Sequence, residues 1–153
     1  VLFPNPLFWC CAISALAVDQ VTKFWVIAHL QNLQSVPVWA GVFHLTYATN
    51  DGAAFSFLTG QVDVLKWVSF WVSAILIWLG WHWRRWHNLE QIGYGLILGG
   101  ALGNGIDRFA YGYVVDFLHL KLIKFPIFNF ADVSINLGLG CLLLCLWWEQ
   151  KRR

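Results

Sequence analysis

Long apolar runs punctuate this chain at about 7–28, 64–83, 92–106 and 127–148. A membrane-crossing helix needs about 20 predominantly apolar residues, with a range of about 17–25. The first, second and fourth runs reach that length outright. The third reaches it only if it begins near Glu90 or continues past Asp107 toward Tyr113. The pattern predicts four helical spans, at about 7–28, 64–83, 90–108 and 127–148, in one membrane domain covering 1–153. Between the first two runs the period changes. Phe43, Leu45 and Tyr47 alternate with His44 and Thr46, which is the period of a strand. Asn50-Asp51-Gly52 is a turn signal. Trp39, Val42, Phe55, Phe57 and Leu58 make this segment too apolar for free solution. A small β element lying on the membrane surface is expected, then a short interfacial stretch into the second span. The third run carries Gly95, Gly99 and Gly103, with Gly93 and Gly100 beside them. Small residues at four-residue spacing let helix backbones approach closely in lipid, so these glycines are read as packing rather than chemistry.

Composition agrees. Apolar residues make up 59% of the chain and charged residues 12%, about half the charged share of a soluble domain. That excludes intrinsic disorder and an ordinary cytosolic domain. Trp and Phe, 11 and 12 in number, favour a membrane protein over a subunit buried in an assembly, because aromatic rings collect at the lipid–water interface. A net charge of +2 without a basic stripe excludes nucleic acid as a partner. Cys10, Cys11, Cys141 and Cys145 lie inside apolar runs without metal-ligand spacing and read as small apolar fillers. The first run has no small-residue cleavage site and carries Asp19, Gln20 and Lys23, so it reads as a retained anchor rather than a removed leader. The chain starts at Val1 and contains no Met, so residues are expected to precede it.

Basic residues set the orientation. Arg84 and Arg85 lie between the second and third runs and Lys151, Arg152 and Arg153 at the end, whereas 29–63 has no Lys or Arg. Lys121 and Lys124 oppose this bias. Both termini are expected in the cytoplasm and the β element outside. Asp19, Lys23, Asp107, Arg108, Asp116 and Asp132 then all fall at one depth, near the outer interface. A charge at the bilayer centre costs about 2.5–3.5 kcal/mol even on the gentlest scale, so each is a functional candidate. Asp19 and Lys23, four apart, read equally as a self-neutralising helix pair, and Asp107-Arg108 as a helix-end pair. Asp116 sits in an apolar, strand-like run, and Asp132 stands at a span entrance with no basic neighbour in sequence. Two such carboxylates facing one another suggest an aspartic protease dyad, in which close like charges hold one proton between them. One member takes a proton from water and the other donates to the scissile carbonyl. No Ser elbow or HExxH is present, and no metal or cofactor is expected. A small proton- or ion-coupled transporter using the same carboxylates as a relay is the rival reading. The nearly apolar inner halves, such as Leu142-Leu143-Leu144 and Ile75-Leu76-Ile77, favour a one-sided site instead.

Five blocks resemble the bacterial lipoprotein signal peptidase (signal peptidase II) family. They are Asp19-Gln20-Val21-Thr22-Lys23, Asn50-Asp51-Gly52-Ala53-Ala54-Phe55-Ser56, Gly99 through Arg108, Val114-Val115-Asp116-Phe117 and Phe128-Asn129-Phe130-Ala131-Asp132. They occur in the family's order over nearly the whole chain. The resemblance implies a four-helix membrane aspartyl protease with a small extracytoplasmic β-sheet cradle, sited near the outer face of the bacterial inner membrane. It implies cleavage of diacylglyceryl-modified prolipoproteins just before the lipidated Cys, with Asp116 and Asp132 as the dyad. Supporting or substrate-binding roles fall on Asp19, Lys23, Asn50, Gly52, Asn104, Arg108 and Asn129. It also implies membrane lipid as a partner and sensitivity to the cyclic peptide globomycin. A monomer is expected. Two positions stand apart from the pattern: Asp51 adds a carboxylate beside the turn, and Asn136 places an amide one turn past Asp132, where it is expected to bond across the bundle.

Overall fold

The computed structural model describes residues 4–32, 35–52, 60–83 and 86–152. Arg84, Arg85, Arg153 and the 53–59 stretch, with Ala53, Ala54, Phe55, Ser56, Phe57 and Leu58, lie outside the described residues. The order of elements is α1 (Pro6–Leu30), β1 (Val36–Trp39), β2 (Phe43–Asn50), α2 (Val62–His82), α3 (Asn88–Ala110), β3 (Val114–Leu120) and α4 (Phe130–Arg152).

Three of these helices, α1, α2 and α4, are long and apolar enough to cross a membrane. They turn large apolar side chains outward: Phe24 is 76% exposed, Trp71 59% and Leu143 67%. In water such surfaces would demand a partner; in lipid they are the solvent-facing side. Helix α3 departs from this pattern. It carries Glu90, Gln91, Asn104, Asp107 and Arg108, and half its length is buried. Packed against α1, α2 and α4, it is mostly covered by protein, with Ile106 and Phe109 left exposed near its end. A Cβ at Gly100 would press on the Ala131 carbonyl and Ile135 of α4, so the close approach of these two helices depends on glycine there.

Several helix ends have a local cause. Pro6 sits in the first turn of α1, where a missing N–H costs nothing. Asn5 sends its amide to the carbonyls of Gly80 and Trp83, at 2.9 and 2.6 Å, satisfying acceptors left open at the end of α2. His87 and Glu90 form a capping box that starts α3. The fourth helix begins at Phe130, later than the apolar run suggests. Phe128 is held in extended pairing with Leu118, which keeps 126–129 out of the helix.

The strands form one antiparallel sheet in the order β1-β2-β3. In β2 the expected strand is present, with a register shift between Leu45 and Ala48 where it pairs with β3. Val115, Phe117 and Leu118 of β3 pack on Val26 and Leu30 of α1. That contact seats the sheet on one end of the helix bundle and brings Asp116 to the same end as Asp19, Asp107 and Asp132.

Candidate active site

Asp132 is positioned by the first turn of α4. The Asp132 carboxylate accepts the Asn129 backbone N–H at 3.1 Å, while Asn129 Oδ1 accepts the Asp132 N–H at 3.0 Å. This reciprocal pair is a capping box. A carboxylate in the first turn is also favoured by the positive end of the helix dipole. The second Asp132 oxygen accepts from Asn104 Nδ2 at 2.9 Å.

Asp116 comes from β3, between two core residues of that strand. Its two oxygens accept from Asn129 Nδ2 at 2.7 Å and from Asn50 Nδ2 at 2.9 Å. Asn129 is fully buried and joins the two carboxylates, side chain to Asp116 and main chain to Asp132. Burial, and next the nearby Asp132 charge, push the Asp116 carboxyl up to about 7, against the opposing hydrogen bonds from Asn50 and Asn129. Among the described residues neither carboxylate has a cation within ion-pair distance.

A second carboxylate pair lies behind the first. Lys23 Nζ stands 2.9 Å from both Asp19 Oδ2 and Asp107 Oδ2, and all three side chains are buried. The same ammonium donates to Asn104 Oδ1 at 2.9 Å. Asn104 therefore links the lysine to Asp132. Both carboxylates also accept from the main chain: Asp19 Oδ1 takes the Ala131 N–H at 2.9 Å, and Asp107 Oδ2, the oxygen facing Lys23, takes the Val115 N–H at 3.1 Å. One ion cluster thus anchors the start of α4 and the start of β3, the elements that carry Asp132 and Asp116. Gly103 is required here, because a Cβ would collide with the Asp19 carboxylate.

Arg108 turns the other way. Its guanidinium donates to the Gly52 carbonyl at 3.2 Å and to Ser69 Oγ at 3.3 Å. Asp107 and Arg108 are not a helix-end pair, because neighbours on a helix point about 100° apart. Gly52 is buried, and its N–H donates to Asn50 Oδ1 at 2.9 Å. The turn after β2 is thereby tied to the amide that holds Asp116. In front lies a cleft of about 1240 Å³ that reaches Asn50, Asp51, Asn104, Arg108, Asp116 and Asp132. Its lower walls are apolar: Val68 and Val72 of α2, Ile97 and Ala101 of α3, Val133 and Leu137 of α4.

All nine residues singled out in the sequence, Asp19, Lys23, Asn50, Gly52, Asn104, Arg108, Asp116, Asn129 and Asp132, fall within this one network. Sequence reasoning passed over Asp107 as an anchor, and Gln20, which donates to Asp19, Asp107 and the Gly103 carbonyl, each at 3.2 Å. Nor did it read the Asn129-x-x-Asp132 spacing as a cap, although that signal was available. Asn136 does not bond across the bundle; its Nδ2 donates to the Asp132 carbonyl of its own helix at 2.8 Å. Asp51 is exposed at the cleft mouth.

The chain resembles known proteins over nearly its whole length. A family model described as signal peptidase (SPase) II matches residues 11–148. The lipoprotein signal peptidase of Gloeobacter violaceus is 54% identical over 151 residues, covering 97% of this chain and 86% of its relative. That of a Synechocystis species is 52% identical, covering 99% and 94%. A bacterial membrane enzyme solved by the in meso method at 2.3 Å resolution superposes with a TM-score of 0.86 at 28% identity, over 94% of this chain and 89% of the other. A second, solved at 1.9 Å resolution, gives 0.78 at 29% identity over 90% of each. The chain belongs to the signal peptidase II family.

Proposed function

We propose that Asp116 and Asp132 form the catalytic dyad of this membrane aspartic protease, which removes signal peptides from prolipoproteins. The observation that carries the assignment is the joining of two carboxylates, neither of them ion-paired among the described residues, through one buried asparagine at the head of an open cleft. Asp116 holds the shared proton, because burial and the neighbouring charge favour its neutral form. Asp132 is the carboxylate that takes a proton from the attacking water. Asp116 donates to the scissile carbonyl oxygen. The resulting gem-diol then collapses: Asp132 gives its new proton to the leaving amine, the C–N bond breaks, and a hydroxyl proton returns to Asp116 as the carbonyl re-forms. Asn104, Asn129 and Asn50 orient the two acids, Lys23 with Asp19 and Asp107 holds Asn104, and Arg108 with Gly52 shapes the wall beside the peptide.

The membrane arrangement belongs to the same reading. All four helices span, α3 enclosed by the other three, in a single domain over 1–153. The termini are cytoplasmic and the sheet lies at the outer face of the bacterial inner membrane. The chain acts as a monomer. Its substrate carries diacylglycerol on the Cys after the scissile bond, with the acyl chains left in lipid. The relay alternative needs carboxylates spread through both halves of the bilayer. Among the described residues, the buried ones, Asp19, Asp107 and Asp116, gather at the sheet end.

The test compares cleavage of one precursor with and without diacylglycerol on its Cys, by purified protein in detergent with a chelator present. Fast cleavage of the lipidated form alone is expected. Equal rates would refute the lipid requirement, and loss of activity restored by zinc would refute the aspartic chemistry. Reporter fusions placing the C-terminus outside would overturn the orientation.

A further inference from the structure

Asn136 is a polar residue that the scheme above leaves unused. It lies one turn beyond Asp132, is exposed, and lines the cleft among valine, isoleucine and leucine side chains. Once a substrate fills the cleft and excludes water, an unpaired amide in such a wall is costly. Half of it is accounted for: Nδ2 donates back to the Asp132 carbonyl at 2.8 Å. That bond fixes the side chain so that Oδ1 is the free end. Among the described residues the Asn136 side chain makes only this bond, and nothing donates to Oδ1. The cleft therefore presents one acceptor, about 6 Å deeper than Asp132 at 1.5 Å rise per residue.

An acceptor selects a donor. A diacylglyceryl thioether offers none, since both its hydroxyls are esterified. A peptide offers main-chain N–H groups. A signal peptide enters from the cytoplasmic side with its apolar segment in the bilayer, so the residues before the scissile bond pass at this deeper level. They must be extended to reach the acids, and extended backbone in an apolar cleft leaves N–H groups that need partners. We infer that Asn136 Oδ1 receives a main-chain N–H of the signal peptide, one to four residues before the lipidated Cys, and so helps to set the register of cleavage. This rests on the protease reading above and adds a substrate-binding residue to it. Asn136 is a positioning residue for substrate and takes no part in proton transfer.

The experiment uses lipidated lipobox peptides in which each amide before the Cys is replaced, one at a time, by an ester, which removes the N–H and keeps the shape. Wild-type protein is expected to lose about fivefold in kcat/KM, the worth of one neutral hydrogen bond, at a single position. Asn136→Leu should lose the same factor on the all-amide peptide and nothing further with that one ester. Asn136→Ala gives the same comparison if the leucine variant does not insert. Wild-type rates in the variant, or an ester penalty that persists in it at every position, would overturn the inference. If the wild-type protein cleaves none of the lipidated peptides, the protease reading itself fails instead.

Discussion

Two pairs of aspartates sit at the same end of this molecule, and their surroundings differ in two respects. Asp19 and Asp107 share Lys23, which lies 2.9 Å from each. Asp116 and Asp132 share only asparagines. Asp19 and Asp107 are closed off, with their oxygens committed to backbone N–H groups of the neighbouring elements. The Asp116 and Asp132 side chains line a cleft. A lysine neutralises charge and fixes position, which suits scaffolding. Neutral amides fix position without supplying positive charge, so burial and mutual repulsion remain free to hold a proton on Asp116. Asn104 touches both systems, accepting from Lys23 and donating to Asp132.

Substitutions separate the two roles. Asp116→Asn and Asp132→Asn should each lower cleavage at least ~10³-fold while the purified protein keeps its melting temperature. A variant that melts early would place its aspartate with the scaffold. Lys23→Met leaves two buried carboxylates unpaired and should destabilise the fold by about 3–5 kcal/mol, seen as a lowered denaturation midpoint. Adding Asp107→Asn to it should recover part of that loss. Asn104→Leu should keep most of the stability and lower kcat by about 10–100-fold, because Asp132 loses a donor and the link to Lys23 is cut. Asn50→Ala should have the smallest effect. Its amide stabilises ionised Asp116, so removing it raises the pKa, and the alkaline limb of the rate profile should move up by about 1 pH unit.

Much of this was readable in the residues. The strand period at Phe43–Tyr47, the apolar runs and the unpaired carboxylates at Asp116 and Asp132 are local signals with physical causes. What escaped is non-local or competes with a stronger pattern. Asp107 and Arg108 are adjacent and of opposite charge, which suggests a pair; the helix turns them about 100° apart, and the packing of α3 gives each a different partner, Lys23 for Asp107 and the Gly52 carbonyl for Arg108. The apolar run at 127–129 reads as helix, yet Phe128 is taken by strand pairing across the sheet. The amide of Asn136 reads as a cross-bundle contact, whereas its own helix supplies the nearer acceptor. Helix α3 falls short of the apolar character of α1, α2 and α4 because it carries Glu90, Gln91, Asn104, Asp107 and Arg108, most of which pack against neighbouring elements.

The shared proton is tested most directly by the pH dependence of kcat for a lipidated precursor, measured in detergent between about pH 5 and 9. Asp116 is raised to about 7, so its neutral form dominates below that value and the general acid is lost above it. The folded chain binds this proton more tightly than the unfolded chain. Its contribution to stability is therefore largest below the ordinary carboxylate range and falls as pH rises toward 7. The rate should fall on an alkaline limb centred near 7, about tenfold per pH unit beyond it, at pH values where the melting temperature still shows a folded protein. A rate that stays flat through pH 9 would contradict the assignment of the proton to Asp116, and with it the distinction between the two aspartate pairs.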